Sequence, residues 1–251
     1  MKFRIKIIST FFALIISIFF IYPTSLAYAT TLNNSTTSSD TSNTTIASSN
    51  NNMETTSDSS NSAEPSIIGK SAIVINYNTG EILYSKNMDA KEYPASTTKI
   101  LTAIIALEKY KLTDRVTANN SAVMAIPSGY SNAAIQPGEA LTVEELLQLF
   151  LIHSANEVGY IFAEDISGSI DNFADLMNKK AKEIGCKNTH FTNPSGIHNA
   201  EHYSTAYDMA LIAQYCMQNE AFRNIVSMPS CTIEPTDKYE KRYFKNTNDL
   251  I

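Results

Sequence analysis

Apolar and polar positions divide the chain into three unlike stretches. The first is greasy: residues 7–21 are mainly apolar, follow Lys2, Arg4 and Lys6, and lead to the small-x-small triplet Ala27-Tyr28-Ala29. A basic start, an apolar middle and a cleavable end predict a secretory signal peptide over residues 1–29, cut after Ala29. A retained membrane anchor is the alternative, although the run is shorter than the ~20 residues that cross a bilayer. Either way the remainder is exported, to the cell wall or the outer face of the cytoplasmic membrane. In the second stretch, residues 30–65, Ser, Thr and Asn dominate and almost nothing is apolar. Such a tract cannot offset the entropy of ordering and predicts a disordered linker. It either spaces the following domain from a membrane or through a wall, or merely stays soluble.

From Ser66 the pattern becomes periodic. Residues 70–77 alternate and are rich in Ile and Val, Asn78-Thr79-Gly80 supplies turn chemistry, and residues 81–86 resume with Ile82 and Tyr84 on one side. This predicts a β-hairpin. Residues 96–110 place Ile100, Ala103, Ile104 and Leu107 at three- and four-residue intervals, the stripe of a helix buried on one side. Thr142 and Glu145 form a capping-box pattern ahead of Leu146, Leu147, Leu149 and Phe150, so a second helix runs to about residue 152. A third starts near 156, a fourth runs from 171 to a stop at Gly185, and a fifth starts near 204 with Met209, Ile212 and Tyr215. Short strands are expected near 231–233 and 243–245. With no internal repeat, the order of hairpin, helices and strands predicts one α+β domain over residues 66–251, an antiparallel sheet drawn from both ends and a helical block.

Composition narrows the class. The chain is 43% hydrophobic and 10% aromatic with a formal net charge of -6, which excludes a collagenous, coiled-coil or wholly disordered protein. It offers no basic surface for nucleic acid, and net charge would not hold a polyanion. Cys186, Cys216 and Cys231 cannot all pair within one chain and show no C-x-x-C spacing, so at most one disulfide is expected.

Two constellations carry candidate chemistry. Ser96 and Lys99 lie one turn apart at the start of the first predicted helix and share a face, so the amine can reach the hydroxyl. The helix N-terminus favours an oxyanion and, together with burial, pushes the amine toward the neutral form that acts as a general base. The plainer reading is an N-cap Ser beside a solvated Lys. Further on, Ser154 and Asn156 sit at a break between helices. In an extended connection residues i and i+2 face the same way, so a hydroxyl and an amide can share a space, relay a proton and bind a substrate amide. The plainer reading is helix capping. His153 is adjacent, but without a G-x-S-x-G elbow a Ser-His-Asp triad has little support.

Taken in order, Pro94-Ala95-Ser96-Thr97-Thr98-Lys99, His153-Ser154-Ala155-Asn156, Asn193-Pro194-Ser195-Gly196 and the segment His202-Tyr203-Ser204-Thr205-Ala206-Tyr207-Asp208-Met209-Ala210 resemble the serine-type D-Ala-D-Ala carboxypeptidases, the low-molecular-mass penicillin-binding proteins. The resemblance covers about residues 66–251. It implies a β-lactamase/transpeptidase-like fold and acyl transfer on the stem peptide of peptidoglycan in cell-wall remodelling. Ser96 would be the nucleophile, Lys99 its base, Ser154 the proton relay to the leaving amine, and Asn156 the holder of the substrate amide. The Ser96 N–H would form half of an oxyanion hole. β-Lactams would acylate the same Ser96 as covalent inhibitors, and no metal or cofactor is implied.

The sequence departs from that family in two places. Glu157-Val158 follow Asn156 where an Asp-Ala pair is common, a change expected to touch geometry only. No Lys-Thr-Gly motif is present, and residues 246–251 correspond to a segment shortly before it. The expectation is a C-terminally truncated sequence lacking a sheet strand, which folds poorly, has little activity and has lost any C-terminal membrane anchor. Three rivals remain. A class A-like β-lactamase needs an E-x-x-L-N-like segment, which residues 158–200 do not offer. A metal site could draw on Cys186, His190, His198 and His202, but their spacing matches no zinc template. A non-catalytic peptidoglycan-binding protein would keep its affinity without Ser96.

Overall fold

The computed structural model describes residues 66–251. The predicted signal peptide and linker lie outside these residues. The first hairpin pairs β1 (Ala72–Ile75) with β2 (Ile82–Lys86) antiparallel. Its turn is shaped by Asn76, whose side-chain oxygen accepts from the Asn78 and Thr79 N–H groups, and by Gly80 at φ +73°.

Helix α1 (Lys99–Lys109) is the centre of the molecule. Instead of one apolar stripe, Leu101, Thr102, Ala103, Ile104, Ile105 and Ala106 are buried in succession, while Ile100 and Leu107 are only partly covered. The reason is its surroundings: α3 (Val143–Ile152), α4 (Asn156–Ser167), α5 (Ile170–Ile184), α6 (Ala206–Cys216) and α7 (Glu220–Val226) all pack against it. A helix enclosed on every side has no polar face to reveal its period.

Local signals set the helix ends. At α3 the capping box forms in both directions, with Glu145 N–H donating to Thr142 Oγ1 and Thr142 N–H donating to Glu145 Oε2. Ser169 caps α5, and Gly185 closes it at φ +108°. Helix α6 starts two residues later than predicted because Thr205, not Ser204, supplies the cap to Asp208 N–H. Three short elements escaped the sequence reading besides α7: β3 (Arg115–Thr117), α2 (Asn120–Met124) and β4 (Ala140–Thr142).

The C-terminal pair is β5 (Ser230–Ile233) with β6 (Arg242–Lys245), antiparallel. The α+β class holds, but the single sheet expected from both ends of the chain does not form among the described residues. Three separate two-stranded ladders occur, β1-β2, β3-β4 and β5-β6. The end hairpins rest on different helices, β1 on α6 and the β5-β6 pair on α3, and no strand of one pairs with a strand of the other. Ile82 and Leu83 of β2 and Tyr243 of β6 are exposed.

Cys186, Cys216 and Cys231 are all unpaired thiols. No helix among the described residues is long and apolar enough to cross a membrane.

Candidate active site

A 3-10 turn over Ala95–Thr98 leads into α1 and carries Ser96. Pro94 is buried and Ser96 is exposed, while Lys99, one turn on, is only 2% exposed. The turn is held by the Thr97 hydroxyl, which donates to Pro94 O at 2.6 Å, and by Ala95 at φ +47°, an uncommon backbone state for a residue with a Cβ. Gly196, at φ +82°, presses against it: a Cβ there would lie 1.8 Å from Ala95 O. Serine capping of a solvated lysine is therefore not what this turn contains.

The Lys99 amine has three partners: Ser96 Oγ at 3.1 Å, Asn156 Oδ1 at 2.9 Å and the Ser195 carbonyl at 2.8 Å. The orientation of Asn156 is fixed independently, because its Nδ2 donates to Ser131 O at 2.8 Å and so leaves Oδ1 facing the amine. Asn156 Oδ1 and Ser195 O can only accept. A neutral amine has two N–H groups and one lone pair, so these two acceptors take both hydrogens and leave the lone pair for the Ser96 O–H. Burial pushes Lys99 down to about 7, against a smaller opposing pull from Glu157. The arrangement can thus draw a proton from an exposed hydroxyl near neutral pH.

Asn156 opens α4, and its own N–H donates to Ser131 O at 3.0 Å. Ser154 lies just before it, but the connection is not extended. Ser154 has φ +63°, and Ala155, buried, donates its N–H to Leu149 O at 3.1 Å. The backbone reverses at Ser154 and does not run straight through it. Ser96, Lys99 and Asn156 are brought together by hydrogen bonds, whereas the Ser154 hydroxyl makes none among the described residues. His153 is occupied elsewhere, stacked on Phe244 with ring centroids 4.0 Å apart and bonded through Nε2 to Asn132 O.

Several participants gave no chemical signal in the sequence, although Ser195 lies in the Asn193-Pro194-Ser195-Gly196 segment of the resemblance. The carbonyls of Ser195 and Ser131 orient the amine and the amide, yet any residue type supplies a carbonyl. Glu157, expected to alter geometry only, is 1% exposed. Its Oε1 accepts from Ala133 N–H at 2.6 Å and its Oε2 has no partner among the described residues. Burial raises its pKa, opposed by backbone hydrogen bonds and by Arg242. The four residues of the metal reading are engaged separately. Cys186 Sγ donates to Asp208 O, His190 Nδ1 lies 2.6 Å from Glu201 O, His198 packs edge-on to Tyr93, and His202 bonds Thr98.

Residues 55–251 match the D-alanyl-D-alanine carboxypeptidase family, peptidase S11, and the chain belongs to it. D-alanyl-D-alanine carboxypeptidase DacF of Bacillus subtilis is 42% identical over 189 residues, covering 72% of this chain and 47% of that protein. The D-alanyl-D-alanine carboxypeptidase of Streptomyces sp. strain K15 is 31% identical over 207 residues, covering 75% of this chain and 69% of that one. Among solved structures, a mutant Streptomyces K15 DD-transpeptidase is 30% identical with TM-score 0.70, covering 74% of this chain and 77% of that one. The chain spans about half the length of several curated relatives that it matches.

Proposed function

We propose that this protein is a serine-type D-Ala-D-Ala carboxypeptidase that trims peptidoglycan stem peptides outside the cytoplasm. The observation that carries the reading is the buried Lys99 amine 3.1 Å from Ser96 Oγ, its pKa brought down to about 7 by burial. Lys99 takes the Ser96 proton as Oγ attacks the carbonyl of the penultimate D-Ala. The Ser96 N–H, in the turn ahead of α1, stabilises the developing oxyanion as half of the hole. Lys99 then returns that proton through the Ser154 hydroxyl to the leaving amine, free D-Ala departs as the C–N bond breaks, and water hydrolyses the acyl-enzyme. Asn156 has its Oδ1 engaged by Lys99 and one Nδ2 hydrogen by Ser131, which leaves the second Nδ2 hydrogen for a substrate carbonyl.

Residues 66–251 act as the carboxypeptidase unit in this reading, after an exported leader and a spacer. β-Lactams acylate the same Ser96. The test is D-Ala release from a peptide ending in D-Ala-D-Ala, together with labelling by a fluorescent penicillin mapped by mass spectrometry. The adduct is expected on Ser96 and is expected to vanish in Ser96→Ala. A labelled residue other than Ser96 overturns the assignment, and prompt turnover of the penicillin transfers it to a β-lactamase. The same assay, run with and without an appended strand bearing Lys-Thr-Gly, tests whether such a strand completes the site. Equal labelling of both forms removes that expectation.

A further inference from the structure

We infer that His202 is a positioning residue for this site: carrying its proton on Nε2 alone, it ties Thr98 at the base of α1 to the loop that presents the Ser195 carbonyl to Lys99. The inference rests on reading Ser96 and Lys99 as nucleophile and base.

His202 is 2% exposed, and both ring nitrogens are in use. Nδ1 faces the Thr192 N–H at 3.1 Å and Asn193 Nδ2 at 3.4 Å, which can only donate, and the Thr192 hydroxyl at 3.3 Å, which can donate as well, so Nδ1 is an acceptor. The proton therefore sits on Nε2 and is donated to Thr98 Oγ1 at 2.9 Å. Thr98 directly precedes Lys99. On the other side, Asn193 builds the loop: its Oδ1 accepts from the N–H groups of Ser195, Gly196 and Ile197, and its Nδ2 donates to Ile197 O. That folded loop aims Ser195 O at the amine and lays Gly196 against Ala95 and Thr98. His202 thus joins the two pieces of backbone between which the amine is clamped, without touching Ser96 or Lys99 itself. A second proton would set a donor against two donors. Burial, followed by the charges of His190 and His198, holds the ring down to about 4 and opposes that event. Around the amine stand the Ser96 hydroxyl, Asn156 Oδ1, the Ser195 carbonyl and the Phe150 ring from α3, with Glu157 from α4 acting on it by charge.

The experiment combines NMR of histidine- and lysine-labelled protein across pH with penicillin acylation rates. His202 is expected as the single Nε2–H tautomer. His202→Asn keeps an acceptor for Thr192 but loses the donor to Thr98, and His202→Gln does the reverse. With the tie cut, water reaches the amine and the Lys99 midpoint rises by about one unit in His202→Asn. The neutral fraction at pH 7, and with it the acylation rate, falls about fivefold. His202→Gln releases the loop end of the same tie and is expected to raise the Lys99 midpoint and slow acylation likewise. Thr98→Val reproduces His202→Asn, and the double variant is no worse than either single one. An Nδ1–H tautomer, or a lower melting temperature with the Lys99 midpoint unmoved, overturns the inference. If His202→Asn does not fold, Thr98→Val carries the same comparison. If wild type fails to acylate, the catalytic reading falls, while the Lys99 titration, which needs no substrate, still decides the role of His202.

Discussion

At the scale of single residues, the site depends on a lysine whose charge is unwelcome where it lies. Burial favours the neutral amine and the nearby Glu157 carboxyl opposes it. Removing that negative charge should lower the Lys99 pKa further. In its proposed role as base Lys99 works only when deprotonated, so activity should fall as pH drops through that pKa, and Glu157→Gln should carry the acid limb of the acylation profile to lower pH. An upward or absent movement would show that Glu157 does not act on the amine by charge. The Ser96–Lys99 contact was legible in the sequence because a three-residue spacing on a helix brings two side chains to one face. Of the two acceptors that take the amine's hydrogens Asn156 was legible too, but the Ser195 carbonyl was not, nor the Ser131 carbonyl that orients Asn156, since both act through the backbone. Nor was Glu157, because a charged side chain in an amphipathic helix gives no sign of facing inward.

At the scale of elements, the reading by periodicity succeeded where one face of an element meets water. The Thr142–Glu145 capping box and the Gly185 stop were visible because each is made by neighbours in sequence. Helix α1 was mistaken for a half-buried helix because five other helices surround it, and the end hairpins were joined in expectation although each rests on its own helix. The loop 193–197 shows how strictly elements can be matched. In Gly196→Ala the new methyl would coincide with the Ala95 carbonyl and the residue would be strained at φ +82°. This substitution should destabilise by about 3 kcal/mol or more and abolish penicillin labelling of Ser96. A melting temperature within a degree of wild type would show that the 3-10 turn can move aside. By contrast, Gly159→Ala meets Phe150 and Pro194 side-chain atoms at 3.2–3.3 Å, a crowding of a few tenths of an ångström.

For the molecule as a whole, the C-terminal hairpin is secured by charge. Arg242 of β6 forms a buried ion pair with Glu139, whose side chains are 4% and 0% exposed, and also donates to Ala133 O. Glu139 further accepts from the Thr236 hydroxyl and the Gln136 N–H. Ala133 in turn donates to Glu157, so hydrogen bonds run from the hairpin through residue 133 to the residue beside Asn156. Replacing only one partner strands a buried charge: Arg242→Met should cost about 3 kcal/mol in denaturant unfolding, and the Arg242→Met/Glu139→Gln double variant less than the sum of the two singles. Strict additivity would mean that the pair holds nothing together.

The three thiols add something of practical use. Each sits in a different part of the molecule: Cys186 beyond α5, Cys216 at the end of α6, and Cys231 in β5. Burial drives all three away from the reactive thiolate, with Cys186 pushed up to about 12 and Cys231 to about 11. Cys216 and Cys231 are buried and should be alkylated only as their own neighbourhoods open, whereas Cys186, partly exposed, should react ahead of them. The chain therefore carries three built-in stopwatches, and the order in which they are alkylated would map which region lets go first.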